Sequence, residues 1–320
     1  MTVPRKEILT PDEPTYYHCY TRCVRRAFLC GKDKVSGKCY EHRREWIRSR
    51  LDHLLDIFAM DEAAYAVMMN HLHTLLRTRP DVARKWSDKE VARRWRLLFP
   101  YRRKKDGSPC EPSKEEIRAI TESPETVELY RQRLSSISWF NRCLNEHIAR
   151  QANKEDGCTG RFWEGRFRSE RLETEAAVVA CSVYIDLNPI RAGIARTLEE
   201  SDFTSIKARI QDLSSGKRQS TLRLLSVDTF SGGRLTEAQY LSLVDETARS
   251  LAQGKASMKE ELLPLMERIG LKPQALLTIN KRKKKLFRRV IGPVASLSLR
   301  AESMGKRWLH GKKGAELLFL

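Results

Sequence analysis

The stretch Met68-Met69-Asn70-His71-Leu72-His73-Thr74-Leu75-Leu76 sets two histidines two residues apart inside an apolar run. His71, His73 and Leu75 alternate with Leu72, Thr74 and Leu76. A strand puts side chains two apart on one face, so the two imidazoles project the same way and Leu72 the other. Upstream, Ala64-Tyr65-Ala66-Val67-Met68 is short and mostly apolar. Ala63 to Thr78 therefore reads as two strands joined near Asn70, or as one long bent strand, ended by Arg79-Pro80-Asp81. The pair itself has two readings. Both histidines can be polar residues on the wet face of a strand, or both can be ligands that a strand holds in register for a divalent metal. An unpaired imidazole among apolar residues is costly, which adds weight to the second reading.

The chain has 320 residues, enough for one large domain or two modest ones, and 41% are apolar. Its 60 Lys and Arg against 41 Asp and Glu leave a formal charge of +19. Such an excess favours a polyanion or an anionic membrane surface as partner. No segment approaches the apolar run that a bilayer span needs, and Met1 to Pro11 has no apolar core of a signal peptide. A cytoplasmic protein, nucleoid-associated when bound to DNA, is expected. The eight cysteines include no C-x-x-C pair and are expected to be reduced thiols, several of them buried.

Thr15 to Cys30 fits a strand leading into a basic turn. From Glu41 to Met60, Trp46, Ile47, Leu51, Leu54, Leu55 and Phe58 recur at spacings of three and four, which predicts a helix with a core stripe; Asp61-Glu62 breaks that run. The block through Arg103 reads as helical and basic, and Lys104 to Pro112 as a loop. Thr126 to Asn153 predicts one long helix, with Leu134, Ile137, Phe140, Leu144 and Ile148 as its stripe, stopped by Asp156-Gly157. Glu173 to Tyr184 is a further helix. Ser214 to Gln219 reads as a linker or mobile loop. Glu237 to Ala256 and Lys259 to Ile269 read as helical, and Leu276 to Arg289 ends in a dense cationic run that follows a DNA backbone or forms a solvated helix face. A boundary near residue 200 divides the chain into residues 1–200 and a helical, basic, DNA-binding region at 201–320.

Four blocks, in order, resemble the single-tyrosine HUH-type transposases and, more narrowly, the REP-associated tyrosine transposases. They are Y-H-C-Y-T-R (Tyr17 to Arg22), M-M-N-H-L-H-T-L-L, G-R-F-W-E-G-R-F (Gly160 to Phe167) and Y-I-D-L-N-P-I-R-A-G (Tyr184 to Gly193). The resemblance covers about residues 14 to 197. It implies an α/β (α+β) fold with a central antiparallel sheet flanked by helices. It implies that His71 and His73 bind Mg²⁺ or Mn²⁺, and that a helix tyrosine attacks single-stranded or hairpin-forming DNA to leave a 5′-phosphotyrosine. Homodimers are common in the family. No membrane partner is expected.

One departure matters. The family's nucleophile belongs on the helix before G-x-x-W-E-G-R, yet Leu134 to Asn153 contains no tyrosine. His147 takes the matching position. Gln151, one helical turn on, matches the third metal ligand, with Asn153 as its rival. His147 is then a substitute nucleophile, or a displaced tyrosine (Tyr130 or Tyr65) supplies the hydroxyl, or the protein binds DNA without cleaving it. The expected nucleic-acid contacts are Arg22, Arg161, Arg166, Arg168, Lys283, Lys284, Lys285 and Arg288. Trp163 reads as core or as a base-stacking platform, Glu164 as an ion-pair organiser, and His18 as a site residue or a hydrogen-bonded structural histidine.

Overall fold

The computed structural model describes residues 9–24, 29–33, 36–216, 224–255 and 257–320. The aromatic and β-branched segment Thr15–Arg22 forms β1, as its composition favours. Met60–Val67 (β2) and His71–Thr78 (β3) form a hairpin, closed where the Met68 N–H donates to the His71 carbonyl at 2.9 Å. Asp61 and Glu62, expected to interrupt the chain here, instead lie within β2. Glu62 is tolerated there because Arg48 donates to it at 2.9 Å. Arg168–Leu172 (β4) and the two residues Val290–Ile291 (β5) complete the sheet, in the order β2-β3-β1-β4-β5. The pairs β2–β3, β3–β1 and β1–β4 are antiparallel, and β4–β5 is parallel.

Chain order largely decides which face of the sheet a helix covers. Arg43–Ile57 (α1), Pro80–Ala83 (α2), Asp88–Leu98 (α3), Lys114–Thr121 (α4), Pro124–Leu134 (α5) and Ile137–Glu155 (α6) precede β4. Apart from the short α2, which packs beside α5, they supply one core with Tyr17, Cys19, Tyr65, Leu72 and Leu76 of the sheet. After β4 come Glu175–Asp186 (α7), Asn188–Arg191 (α8), Ser205–Ser215 (α9), Val227–Phe230 (α10), Glu237–Ala252 (α11), Leu263–Arg268 (α12), Ala275–Leu286 (α13), Val294–Ser303 (α14) and Lys312–Leu318 (α15). These contribute mainly to a second core with Ala64, Ala66, Leu75 and Leu172 on the opposite face. α7 is apolar nearly all round and buried along its length from Ala176 to Asp186, as expected for a helix with protein on every side.

Several helix starts are written in the sequence. Ser113 and Glu116 form a reciprocal capping box on α4, and Thr236 and Gln239 form one on α11. The single helix expected over Thr126 to Asn153 is two. Ser135 and Ser136 leave helical geometry, and the Leu134 carbonyl accepts from the Ala59 N–H at 2.9 Å rather than extending α5. β4 and β5 carry no periodicity strong enough to announce them. Of the expected linker Ser214 to Gln219, residues 217–219 lie outside the described residues, as do 25–28 of the expected basic turn.

The expected division near residue 200 does not separate two cores. Ile206, Tyr240, Leu276, Phe287 and Ile291 share one apolar cluster with Leu75 and Leu172. A fragment of residues 1–200 would keep α7 on that sheet face but strip away Ile206, Tyr240, Leu276, Phe287 and Ile291, which complete the core around it. It is expected to show no cooperative thermal unfolding by circular dichroism and to aggregate with rising concentration; a sharp, reversible melt would show that the first 200 residues fold alone.

Candidate functional site

His73 and His18 lie on the sheet face covered by α7 and α13. In the register of the sheet, Tyr20 stands opposite His73, and Glu170 opposite His18. The diagonal between β1 and β3 brings His18 Nε2 within 2.8 Å of His73 Nδ1. Across the other ladder, His18 Nδ1 lies 2.8 Å from Glu170 Oε2. From α13, Lys283 reaches the same point: its ammonium donates to Glu170 Oε2 and sits 3.1 Å from His18 Nδ1. All four side chains are buried.

The proton arrangement that keeps the contact to Glu170 has His18 donating from Nδ1 to Glu170 and accepting at Nε2 from His73 Nδ1–H, with both imidazoles neutral. The charges sit on Glu170 and Lys283. Although burial alone would raise it, the Lys283 ammonium and the His18 hydrogen bond hold the Glu170 carboxyl down at about 2. Burial, reinforced by Lys283, lowers His18 to about 4 and, with the neighbouring imidazoles, lowers His73 well below its ordinary value.

His71 is half-buried, its Nδ1 2.6 Å from Asn70 Oδ1 and its ring edge-on to His73 at 4.9 Å. Gln151 and His147 are not brought to this face. Their helix, α6, buries Leu144, Ile148 and Ala152 in the core on the other side of the sheet. His147 is exposed there; partial desolvation and the guanidinium groups of Arg50 and Arg103 lower its pKa. Asn153 bonds the Gly160 carbonyl at 3.0 Å. Tyr130 stacks flat on Trp95 at 3.9 Å, and Tyr65 is buried beneath the Arg48 guanidinium. The tyrosines that do meet the imidazoles are Tyr20, 5.7 Å from the His73 ring, and Tyr184, 6.1 Å from both His18 and His73.

These donors do not fit Mg²⁺ or Mn²⁺. Hard divalent cations take mainly oxygen ligands. The carboxylate at hand is bonded to an ammonium, the expected amide lies across the sheet, and among the described residues no group of three His, Cys, Asp or Glu is arranged to hold a metal ion.

The expected nucleic-acid residues divide. Arg161, Arg166, Arg168, Lys285 and Arg288 are exposed. Arg22 is half-buried at the end of β1, where its carbonyl accepts from the Glu164 N–H. Lys283 is turned inward onto Glu170 and is no surface contact. The side chain of Lys284 lies outside the described residues. Trp163 belongs to the core and donates from its indole to the Asn145 carbonyl at 2.8 Å. Glu164 makes no ion pair among the described residues.

Sequence reasoning missed Glu170, and it placed Lys283 on nucleic acid rather than in this hydrogen-bonded chain. A signal for Lys283 existed: Leu276, Ile279, Lys283 and Phe287 recur at spacings of three and four, so one lysine of the cationic run falls on the buried stripe. Glu170 gave none, because Arg168-Ser169-Glu170-Arg171 reads as solvated.

A second feature lies along α6. Ser138, Asn141, Arg142, Asn145 and Glu146 line a groove of about 460 Å³ with Trp139, Trp163, Gly165, Arg166 and Phe167. Arg133 and Arg142 lie over the Trp139 ring at 4.4 and 5.0 Å. The buried Asn145 Oδ1 has no hydrogen-bond partner among the described residues.

No family model matches the chain, and no curated protein does. Among solved structures it is similar to one described as "Structure of the REP associates tyrosine transposase bound to a REP hairpin", with 11% sequence identity and a TM-score of 0.39, over 69% of this chain and 90% of that chain. Among the described residues, no helix is long and apolar enough to cross a membrane.

The histidine chain sets a pH dependence. His18 is lowered from 6.5 to about 4, so between those values the unfolded chain takes up a proton that the folded one refuses. This contribution is intact above pH 6.5 and is lost as pH falls. Buried Glu62 and Asp186, raised to about 7 and about 6 chiefly by burial, pull the opposite way, so the readout is a comparison of variants. From pH 7 to 4, the wild type is expected to lose on the order of 2–3 kcal/mol more stability than His18→Gln, measured by urea unfolding; parallel curves would refute this.

Proposed function

We propose that this protein is a DNA-binding relative of the HUH transposases that holds single-stranded or hairpin DNA without cleaving it at the histidine face. The groove along α6 carries the reading. It joins aromatic rings to two exposed guanidinium groups, Arg142 and Arg166. Aromatic faces stack on unpaired bases, and arginines neutralise the phosphates between them. The ordered motif blocks, the net charge of +19 and the exposed Arg161 and Arg168 nearby in sequence support the same class of ligand. Cleavage is the weaker reading, because the expected third metal ligand and the substitute nucleophile are on the face away from His71 and His73. A homodimer, as in related transposases, is compatible with this proposal and is not required by it.

The test is a labelled hairpin oligonucleotide with a single-stranded flank, incubated with the protein and Mn²⁺. Binding is expected, with no covalent adduct on a denaturing gel. Trp139→Ala should weaken it by about 1–3 kcal/mol, the worth of one stacked base. Arg142→Ala with Arg166→Ala should flatten the dependence of log K on log salt by about 1.4, two contacts at about 0.7 each. A covalent adduct, or affinity indifferent to all three changes, would sink this reading.

A further inference from the structure

Within the run Lys281-Arg282-Lys283-Lys284-Lys285, Lys281, Arg282 and Lys285 are exposed, whereas Lys283 is buried. Its place on α13 follows Leu276 and Ile279, both sealed in the core shared with the sheet. The ammonium meets a prepared environment. It bonds Glu170, lies 3.1 Å from His18 Nδ1, and sits 5.0 Å from the centre of the Tyr184 ring. A carboxylate, an imidazole nitrogen and an aromatic face are groups that receive a cation. Here the cation is covalently part of the chain.

We propose that Lys283 is the resident cation of the Glu170–His18–His73 chain, occupying the cation position of this face so that no divalent metal is taken up there, and fastening α13 to the sheet. The geometry makes the role specific. Glu170 stands on β4 and His18 on β1, so a single ammonium bridges two strands and a helix from the C-terminal third of the chain. A divalent ion bound to the same carboxylate would lie against the ammonium and be repelled. The inference stands apart from DNA binding and survives if the hairpin is not bound.

Two measurements test it. The first is a double-mutant cycle on thermal unfolding with Lys283→Met and Glu170→Gln. Each single change is expected to lower Tm markedly, since it leaves a buried charge alone. The double variant should recover much of the loss. Additive losses would overturn the proposal. If neither single variant folds, a folded double variant supports it and an unfolded one refutes it. The second is Mn²⁺ titration followed by electron paramagnetic resonance. One equivalent of wild-type protein should leave the free-ion signal unchanged. Quenching by wild type that is lost in Glu170→Gln or His73→Ala would show that the face takes a metal despite Lys283.

Discussion

The structure depends on one buried charge pair, Lys283 with Glu170. Taking two charges out of water is expensive, and their attraction repays it only when geometry and further hydrogen bonds are good. Here His18 supplies the extra contact and passes the chain of hydrogen bonds on to His73. Losing one partner of such a pair costs about 3–5 kcal/mol, a large share of the marginal stability of any fold. The same device recurs. Arg48 meets Glu62 beneath the other face, and Arg209 meets Glu237 beside an Asp186 that accepts from Tyr240 and Ser205. Arg48 and Glu62 join neighbouring elements 14 positions apart, Arg209 and Glu237 lie 28 apart, and Lys283 and Glu170 span 113.

The sheet separates two surfaces of different chemistry. On one side, His18 and His73 are enclosed under α7 and α13 and are links in a hydrogen-bonded chain, while His71 stays half-buried beside Asn70. On the other, α6 presents the groove with Trp139, Arg142 and Arg166 to solvent. A sheet five strands wide stands between them. The chemistry suggested by two histidines and that suggested by a row of arginines thus belong to different surfaces, although both motifs fall within about one hundred residues.

Much of the framework was legible in local patterns. Alternation set His71 and His73 on one face and Leu72 on the other, and the structure keeps that arrangement. The period of three and four around Leu51 and Leu54 marked α1, and the stripe through Phe140, Leu144 and Ile148 marked α6. The break at Ser135 was not legible, because it depends on the Ala59 N–H, which lies far off in sequence. Nor was β5: two residues form a strand only because β4 offers an edge. Glu62 looked like an interruption until Arg48 was placed against it.

The sequence by itself determined the direction of each side chain relative to its own backbone, since pleat and helical pitch are properties of a few neighbouring residues. It thereby decided that the two imidazoles share a face. Tertiary structure alone decided what those side chains meet. His18 and Lys283 are 265 positions apart, and no local period carries information over that distance. That His73 meets His18 follows from the pairing of β1 with β3, and that Lys283 reaches the same point follows from α13 packing on that side of the sheet.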